Sequence, residues 1–406
     1  MVGPYGNTWI ETPGWNRMAA QAWLAETALL DHVSSTENLR SLFTGTHAWC
    51  RSRGRVATPA PWWQHGLPVD LESCLVTDQP TSAHSDWAER MTEVELVELP
   101  PPAIATSTDD EPSINDTQLG HFFAAVSARL SQLSEPYLLI AHTGGLLGAW
   151  DAPYSWRQTF VDEEDPDPPT WIQPPVQQLD ADYDPDFLHG VRAAAGAQVM
   201  VLDQCLEALL DQLNETDQRV KLVVTSSCGW GLGEHRWIGC EGRNLHAESV
   251  HVPWLVFDPA RRPLSYRSGQ LMQMADGGAT MRELLGGGGE QPSQGDLPCG
   301  KPSVGGRHLA GWDRQTALAI TVGASGCRLQ TPAWCCLVPC GDAESEDGWK
   351  LYVKPDDRWE LNDVAGRCPH VVDAFRTLWQ ELQASGPGCF RRAELALPEI
   401  LLTLHS

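Results

Sequence analysis

The amino-acid sequence predicts an α/β fold, in which helices cover both faces of a mostly parallel β-sheet, followed by a small α+β subdomain. Patterns typical of helices and of buried strands alternate along the first two thirds of the chain, as in parallel sheets. The 406 residues exceed what one small core needs and fit a large domain with an appended unit. A Gly- and Pro-rich stretch at 286–306 has the composition of a linker. We therefore expect an α/β domain at 1–285 and a subdomain at 307–406.

The N-terminal region contains two predicted helices. The first spans 12–30, because Thr12 is a suitable N-cap, Pro13 suits the first turn and apolar residues recur at roughly helical spacing. The second spans 34–44, since it begins with Ser and Glu in a capping pattern and Gly45 can end it.

The clearest helix lies at 191–213, where six apolar side chains form one face ahead of a strand at 220–225. Residues 162–186 are rich in Pro and Asp and predict a long surface loop, which could cover a site as a lid or extend freely. The other predicted elements are a helix at 117–133, strands at 71–77, 137–142 and 252–257, and, in the subdomain, strands at 317–322, 333–338 and 350–353 with a helix near 370–383.

The charge of the chain is strongly acidic, with 28 Lys and Arg against 53 Asp and Glu and a formal net charge of −25. Residues 161–187 hold nine acidic residues and no basic one. Such a surface excludes nucleic acids and anionic membranes as partners. A local basic cluster runs against this trend and is formed by Arg40, Arg51, Arg53 and Arg55.

The sequence also allows a prediction of the cellular compartment of the protein. No N-terminal segment has the three parts of a secretory signal peptide, and no run of residues approaches the length of an apolar membrane span. The 12 cysteines lack a regular spacing, so we expect reduced thiols in a soluble cytoplasmic protein.

Several strings along the chain, in order and with matching spacing, resemble those of the sulfatases of the alkaline phosphatase superfamily. They are "YGNTWIETPGWNRMAAQA" at 5–22, "ENLRSLFTG" at 37–45, "GAWDAPY" at 148–154, "VVTSSCGWGLGEH" at 223–235, "HAESVHVPWLVF" at 246–257 and "KLYVKPDDRWELNDVA" at 350–365. The resemblance covers most of the chain and implies an alkaline-phosphatase-like three-layer fold.

The resemblance implies cleavage of sulfate esters by a hydrated formylglycine made from Cys or Ser. It also implies a calcium ion held by an early Asp pair and by a later pair of Asp with His or Asn, together with a Lys and Arg clamp on the anion. Oxygen ligands suit calcium, and the cation offsets charge on the sulfuryl oxygens.

The family's nucleophile position falls on Ser35 when counted back from Thr44 and Gly45. Arg40 lies one residue after the family's Arg position, which Leu39 occupies, so the pattern read by the formylglycine-forming enzyme is broken. Two interpretations of Ser35 remain open. It is either a plain hydroxyl nucleophile or the N-cap of the second helix.

The family's later metal pair falls on Ser227 and Cys228. A neutral hydroxyl is a poor calcium ligand and a thiol is soft, so we expect that the family's calcium ligands are not preserved. A zinc site would be an alternative, and its ligands would be Cys228, His235, Cys240 and His246. A small buried thiol at a strand end is the other interpretation of Cys228.

Other family positions are replaced too. The family's His in its PHxPW string falls on Leu147, and Arg243 lies beside the position of the family's Lys. His251 is expected to be structural. The early Asp pair closes a strand that precedes the family's YG string, and Met1 lies only four residues before Tyr5. We therefore expect that central strand to be missing, through a late assigned start or a tolerated truncation.

These substitutions lead to one preferred hypothesis and two alternatives. The preferred one is a sulfatase-like protein with impaired or absent catalysis that binds a sulfated carbohydrate or another small anion. The second is an active sulfuric- or phosphoric-ester hydrolase with Ser35 as nucleophile and Arg40 or Arg243 as the anion clamp. The third is an interaction module with an empty cleft. Protein partners and oligomeric state are not predicted.

Overall fold

The computed structural model describes residues 1–52, 60–64, 71–102, 113–215, 219–240, 244–259, 266–285, 317–340, 348–384 and 397–404. The predicted linker at 286–306 and the candidate residue Arg243 lie outside the described residues. The division into domains at that linker therefore stays a prediction.

Helices and strands alternate along the chain. The helices are α1 (Pro13–Ala19), α2 (Ser35–Thr44), α3 (Ala48–Ser52), α4 (Pro80–Ala83), α5 (Gln118–Leu130), α6 (Tyr154–Gln158), α7 (Pro185–Glu215), α8 (Ala247–Val250), α9 (Met274–Leu284), α10 (Pro369–Ala384) and α11 (Glu399–Leu402). The strands are β1 (Trp23–Leu29), β2 (Glu72–Thr77), β3 (Glu93–Leu96), β4 (Tyr137–His142), β5 (Gln177–Gln178), β6 (Leu222–Thr225), β7 (Gly231–Leu232), β8 (Trp237–Gly239), β9 (His251–Val252), β10 (Trp254–Phe257), β11 (Tyr266–Gln273), β12 (Ala319–Gly323), β13 (Gly326–Gln330), β14 (Trp334–Pro339) and β15 (Lys350–Val353).

The central sheet has the strand order β11-β1-β10-β6, with β9 beside the end of β1. Strand β1 is parallel to β11 and antiparallel to β10, which is in turn antiparallel to β6. Strands β1 and β6 therefore point the same way, and their carboxyl ends lie at the same edge of the sheet. A second, fully parallel sheet has the order β3-β2-β4.

Helices cover both faces of the central sheet because successive side chains of a strand point to opposite faces. On one face Leu24 packs with Leu206 and Leu210 of α7. On the other, the next residue, Ala25, belongs to a cluster with residues of α2 and α9, among them Leu42. The predicted α/β class is therefore confirmed, with helices on either side of the sheet.

One predicted element is wrong. The helix expected at 12–30 ends at Ala19, and residues 23–29 form the central strand β1. Pairing with β10 on one side and β11 on the other buries most of this segment, and these tertiary contacts outweigh its high helix propensity.

Strand β6 ends the central sheet and strand β4 ends the parallel sheet, and these two strands do not pair with each other among the described residues. Among the described residues each of these strands pairs with a single neighbour, and their apolar side chains are only half-buried. Their starts are linked by the amide of Arg219, which donates to Oε1 of Glu135 at 3.3 Å.

Helix α7 is the longest element, with 31 residues. By length and composition alone it could cross a membrane, which the sequence reading had not indicated. Yet 67% of its most apolar window is buried inside the protein. Its apolar character is therefore explained by its place in the core, between α1, α5 and the central sheet.

In the region predicted as the C-terminal subdomain, the structure has a four-stranded antiparallel sheet, β12-β13-β14-β15, with α10 packed against it. It joins the large domain through backbone hydrogen bonds at the end of β1, since the amide of Val322 donates to the carbonyl of Asp31 at 2.9 Å. The subdomain thus lies beside the carboxyl edge of the central sheet.

The acidic loop at 162–186 is attached to the body of the protein. Arg157 donates to the carbonyls of Pro169 and Trp171, and Leu179 is buried in a cluster with α7. The short strand β5 within the loop pairs with β8. The loop is therefore seated on the domain surface.

Candidate functional site

The candidate site lies where the carboxyl ends of β1 and β6 meet the N-terminus of α2. Residues 30–34 connect β1 to α2, and Ser226, Ser227 and Cys228 follow β6. In open α/β sheets this edge carries the functional groups, because the connecting loops converge there.

Ser35 and Ser227 are brought together by the fold, although 192 residues separate them in the sequence. Their hydroxyl oxygens are 2.6 Å apart. Ser35 is the first residue of α2, and the N-cap position belongs to Ser34, whose side chain makes no capping hydrogen bond. The N-cap interpretation of Ser35 is therefore wrong, and its hydroxyl instead faces the end of β6.

Asn38 holds the two sides of the site in place. Its Oδ1 accepts hydrogen bonds from the amides of Asp31 (3.0 Å) and His32 (2.9 Å). Its Nδ2 donates to the carbonyls of His32 (2.6 Å) and Ser227 (2.9 Å). This buried side chain thus uses both of its donors and both of its acceptor positions, and it fixes the positions of the β1 end, α2 and the β6 end relative to one another.

His32 is the nearest imidazole to Ser35 along the chain. Its Nδ1 accepts a hydrogen bond from the amide of Ser34 at 2.9 Å, so the neutral ring carries its proton on Nε2. Burial lowers the pKa of His32, and the charge of Glu37 opposes this effect. A ring in this tautomer can donate a hydrogen bond to an anion, but it cannot take a proton from the Ser35 hydroxyl through Nε2.

Two arginines of the basic cluster predicted from the sequence, Arg40 and Arg51, form ion pairs with nearby carboxylates. Glu37 accepts from Arg40 at 2.7 Å and from Arg51 at 3.0 Å, and Arg40 also lies 3.5 Å from a carboxylate oxygen of Asp86. Burial would raise the pKa of Glu37, but the neighbouring Arg51 and Arg40 outweigh burial and lower it. Arg40 is therefore engaged by two carboxylates. Arg53 and Arg55 lie outside the described residues.

The side chains at the family's metal positions do not fit calcium. The Ser227 hydroxyl is bound to Ser35, and the Cys228 thiol contacts the thiol of Cys240. The carboxylate of Asp31 is buried next to His47, with 3.6 Å between an oxygen and Nε2. No group of three or more His, Cys, Asp or Glu side chains suitable for a metal occurs within the described part of the chain.

The zinc alternative is wrong, because its four residues form two separate pairs. His235 and His246 stack on each other, with ring centroids 3.5 Å apart and planes at 5°. Both rings make hydrogen bonds to glutamates, whereas Cys228 and Cys240 contact each other.

Two further positions named from the sequence lie near this edge. Leu147 is partly exposed, at 36%, in a short turn after β4. His251 Nε2 donates to the carbonyl of Glu26 in β1 at 2.8 Å, which is a structural role.

A buried charged cluster beside the site was not predicted. We define it as His235, His246, Glu248, Arg328, Lys354 and Glu360. Arg328 makes two hydrogen bonds to the Glu360 carboxylate, at 2.6 and 2.9 Å, and Lys354 lies 2.8 Å from it. Because Arg328 lies in β13 and Lys354 and Glu360 follow β15, the cluster connects the C-terminal part of the chain to the loops that follow β7 and β8.

The pKa values of the two stacked histidines of the charged cluster shift in opposite directions. His235 Nδ1 faces Oε1 of Glu248 at 2.9 Å and its Nε2 faces the carbonyl of Glu360 at 3.0 Å, so both nitrogens face acceptors. Burial alone would lower the pKa of His235, but these two hydrogen bonds raise it. Burial lowers the pKa of His246, assisted by His235 and opposed by Glu360. The hydrogen bonds therefore favour the protonated form of His235, whereas burial favours the neutral form of His246.

The sequence did contain a signal for the charged cluster. His235, His246, Glu248, Lys354 and Glu360 all fall inside strings that resemble the sulfatases, although no charge or spacing rule connected them. Three residues with positive φ also lie here, namely His235 (50°), Arg236 (58°) and Glu360 (58°), and they are the non-glycine examples among the described residues. Such backbones occur where surrounding contacts fix them.

Comparison with known proteins supports the fold. No protein-family model matches the chain, and no curated protein matches it. Solved structures do match over nearly its whole length. One, solved in complex with its substrate D-glucosamine-2-N,6-O-disulfate, has a TM-score of 0.67 and 13% identity and covers 97% of each chain. A 2-O GAG sulfatase has a TM-score of 0.65 and 15% identity, with 94% of this chain and 88% of the other covered.

A third match is the phosphonate monoester hydrolase of Agrobacterium radiobacter, with a TM-score of 0.64 and 14% identity over 94% of this chain and 92% of the other. At these identities the likeness concerns the fold. The chain thus has the alkaline-phosphatase-like fold of the sulfatases, and the resemblance inferred from its sequence strings is confirmed at that level.

Proposed function

We propose that this protein binds a sulfated carbohydrate, or another small sulfate-bearing anion, at the edge formed by Ser35, Ser227 and the N-terminus of α2, without hydrolysing it at the rate of a sulfatase. The observation that carries the proposal is the hydrogen bond of 2.6 Å between the hydroxyls of Ser35 and Ser227. This bond joins two neutral hydroxyls, those of the residues that the sequence resemblance aligns with a nucleophile and with a metal ligand.

The site has groups that favour an anion. The first-turn amides of α2 receive no capping bond from Ser34, and helix N-termini attract anions through such amides. His32 can add its Nε2 proton, and the hydroxyls of Ser35 and Ser227 can donate further hydrogen bonds. Arg51 and Arg40 offset the charge of Glu37 within the first turns of α2.

Among the described residues at this edge, we identify no general base and no metal-ligand set for fast hydrolysis. A serine hydroxyl needs a base or a metal to become a strong nucleophile. The proton on His32 Nε2 prevents that ring from acting as a base, and the donor set of Ser227 and Cys228 does not fit calcium. We therefore derive no catalytic step through a metal.

Calorimetric titration with D-glucosamine-2-N,6-O-disulfate tests the proposal, with unsulfated glucosamine as the control ligand. We expect binding of the sulfated sugar alone, and a rise in thermal midpoint that grows with its concentration; saturation at a hundredfold excess over Kd stabilises a protein by about 2.7 kcal/mol. Ser35→Ala should weaken binding, and Thr36→Ala, at an exposed neighbouring position, should not. Equal binding of both sugars would contradict the proposal.

An active sulfuric- or phosphoric-ester hydrolase is the second candidate. The position of Ser35 at a helix N-terminus favours it, because the amides there can also stabilise a developing negative charge. The measurement is turnover of 4-nitrophenyl sulfate and 4-nitrophenyl phosphate. A rate that disappears in Ser35→Ala and persists in Thr36→Ala would make this candidate correct. The anion clamp would then be sought at Arg243, since Arg40 is paired with Glu37 and Asp86. The cytoplasmic location stays a prediction.

A further inference from the structure

Helix α8 lies between the charged cluster and the two strand ends that form the candidate site. The carbonyl of Ser249 accepts a hydrogen bond from the amide of Gly229 at 3.2 Å, and the carbonyl of Val250 accepts one from the amide of Leu30 at 2.9 Å. Gly229 comes two residues after Ser227, and Leu30 follows β1 directly. One short segment therefore holds the ends of both β1 and β6.

The contact between α8 and the end of β6 is close. A Cβ atom at Gly229 would lie 2.4 Å from the carbonyl oxygen of Glu248 and 2.7 Å from that of Ser249. These separations are well inside van der Waals contact, so only glycine allows the two backbones to approach in this way. On its other side, the backbone of Ser227 is held by Nδ2 of Asn38, at 2.9 Å from the carbonyl oxygen. A shift of α8 would therefore be transmitted to the strand end that carries Ser227.

The start of α8 is held by Glu360. Oε2 of this buried carboxylate accepts hydrogen bonds from the amide of Ala247 and from Nδ1 of His246, both at 3.1 Å. His246 occupies the N-cap position, and its own side chain makes no capping hydrogen bond. Glu360 therefore satisfies the first amide of α8 in place of a local cap.

Glu360 is in turn fixed by Arg328 of β13. Arg328 donates to the two carboxylate oxygens at 2.6 and 2.9 Å, and it also donates to the carbonyl of Leu245 at 2.9 Å. A pair in which a guanidinium bonds both oxygens of a carboxylate has a well-defined geometry. The sheet that contains β13 thus determines the positions of Glu360 and of the segment that leads into α8.

We propose that Glu360 is a positioning residue for the candidate site. Through Ala247 and His246 it fixes α8, and α8 fixes the end of β6 so that the Ser227 hydroxyl stays beside that of Ser35. The proposal rests on the proposed function, because this hydroxyl pair is where the anion is expected to bind. Glu360 acts through α8 and not by contact with the anion. The anion site and β13 are then energetically coupled, and such coupling acts in both directions.

Hydrogen–deuterium exchange read by mass spectrometry tests the positioning directly. His246→Ala removes the donor to Glu360, and we expect the peptides that contain Gly229 and Leu30 to exchange about tenfold faster, which corresponds to about 1.4 kcal/mol. In His246→Asn the side-chain nitrogen takes the place of Nδ1 and can donate to the same carboxylate, so slow exchange should return. Both variants lack the ring that stacks on His235, so the comparison isolates the donor.

A purely structural role of His246 predicts a different pattern. A loss of overall stability would speed exchange throughout the protein, whereas a loss of positioning should leave β2 unchanged, since that strand belongs to the other sheet. His370→Ala, which replaces an exposed histidine of α10, should exchange as the wild type does. Equal exchange in His246→Ala and the wild type would overturn the proposal. Faster exchange that extends to β2, or no recovery in His246→Asn, would overturn it as well.

Calorimetric titration with D-glucosamine-2-N,6-O-disulfate connects the positioning to the site. We expect the Kd to rise about tenfold in His246→Ala and to stay near the wild-type value in His246→Asn and His370→Ala. If His246→Ala does not fold, the wild type still tests the coupling. Because the coupling is reciprocal, the bound sugar should slow exchange in the peptide that contains Ala247. Unchanged exchange of that peptide in the sugar complex would overturn the proposal.

The two proposals fail separately. If the wild type does not bind the sulfated sugar, the proposed function is overturned, and exchange in the free variants still decides whether Glu360 holds the strand ends. If the wild type binds the sugar and His246→Ala binds it equally well, the proposed function stands and the positioning role of Glu360 is overturned.

Discussion

The charged cluster and the candidate site lie at the same edge of the central sheet, but the chain treats them differently. Five of the six residues of the charged cluster, all except Arg328, lie within strings that resemble the sulfatases, and Arg328 and Glu360 are fully buried and paired. The candidate site has Ser227 and Cys228 where the resemblance implies metal ligands. The charged cluster thus links the sheet β12-β13-β14-β15 and the segment after it to the loops that follow β7 and β8 through buried ion pairs.

This difference has a physical reason. A buried charge that loses its partner costs several kcal/mol, so substitutions in the charged cluster are strongly constrained by stability. A hydroxyl or thiol at a partly exposed strand end costs little. The site can therefore change its chemistry while the fold persists.

The largest expected effect is that of Glu360→Ala. It would leave Arg328 and Lys354 buried without their carboxylate, which costs roughly 3 to 5 kcal/mol in comparable pairs. The measurement is urea unfolding at pH 7. Glu11→Ala, at an exposed position, should stay within about 0.5 kcal/mol of the wild type. A loss below about 1 kcal/mol for Glu360→Ala would remove the distinction between the two regions.

The same carboxylate gives a pH dependence. Burial alone would raise the pKa of Glu360, but Arg328, His246 and Lys354 lower it well below its usual range. Its stabilising contribution is therefore complete above the unfolded-state pKa, about 4.3, and is lost as the pH falls below that value. We expect Glu360→Gln to flatten the decline in stability below about pH 5. An unchanged pH profile would contradict this role.

Asn38→Ala should have the next largest effect. It leaves two amides and two carbonyls at the site without their partner, and each buried unsatisfied group costs about 1 to 3 kcal/mol before water enters. We expect a net loss of about 3 kcal/mol together with weaker binding of the sulfated sugar. Asn38→Asp, which keeps the acceptors and loses the donors, should retain part of the stability. A fully stable Asn38→Ala variant would show that Asn38 does not organise the site.

Ser35→Ala should affect stability much less. It removes one hydrogen bond, worth about 1 kcal/mol, and Ser227 can then bind water at the partly exposed edge. The expected result is nearly unchanged urea unfolding with weakened sugar binding. A loss as large as that of Asn38→Ala would mean that Ser35 is a structural residue.

The smallest effect concerns the stacked rings. The charge of His235 lowers the pKa of His246, so His235→Asn should raise the pKa of His246, and Asn tolerates the positive φ of 50° at this position. Proton–carbon NMR of the imidazole groups across pH 4 to 9 measures this shift. Because the pKa of His246 is lowered in the folded protein, His246 reduces the free energy of unfolding as the pH falls below about 6.5. Because the pKa of His235 is raised, His235 has the opposite effect and contributes stability below that pH. If the pKa of His246 in His235→Asn equals that in the wild type, the two rings have no electrostatic interaction.

About half of the described helices and strands were predicted from periodicity and turn residues. The strands at 72–77, 137–142 and 350–353 and the helices α2, α5 and α7 lie where the sequence placed them, within a few residues. Strand β1 was the main failure, because "AWLAETALL" is rich in good helix formers and its apolar residues also fit a helical spacing. Strand β13 was missed as well, since "GCRLQ" places Cys327 and Arg328 in a sheet through pairing with β12 and β14.

The sequence by itself determined the α/β class, the positions of Ser35, Ser227 and Cys228 at element ends, and the replacement of the family's metal ligands, because these follow from local pattern and residue chemistry. Tertiary structure alone decided that Ser35 bonds Ser227 across 192 residues. It likewise decided that Arg40 is neutralised by Glu37 and Asp86, that Cys228 meets Cys240, and that Glu360 gathers Arg328, Lys354 and His246. These contacts depend on how strands pair and loops converge, and no local rule specifies distances between residues far apart in the chain.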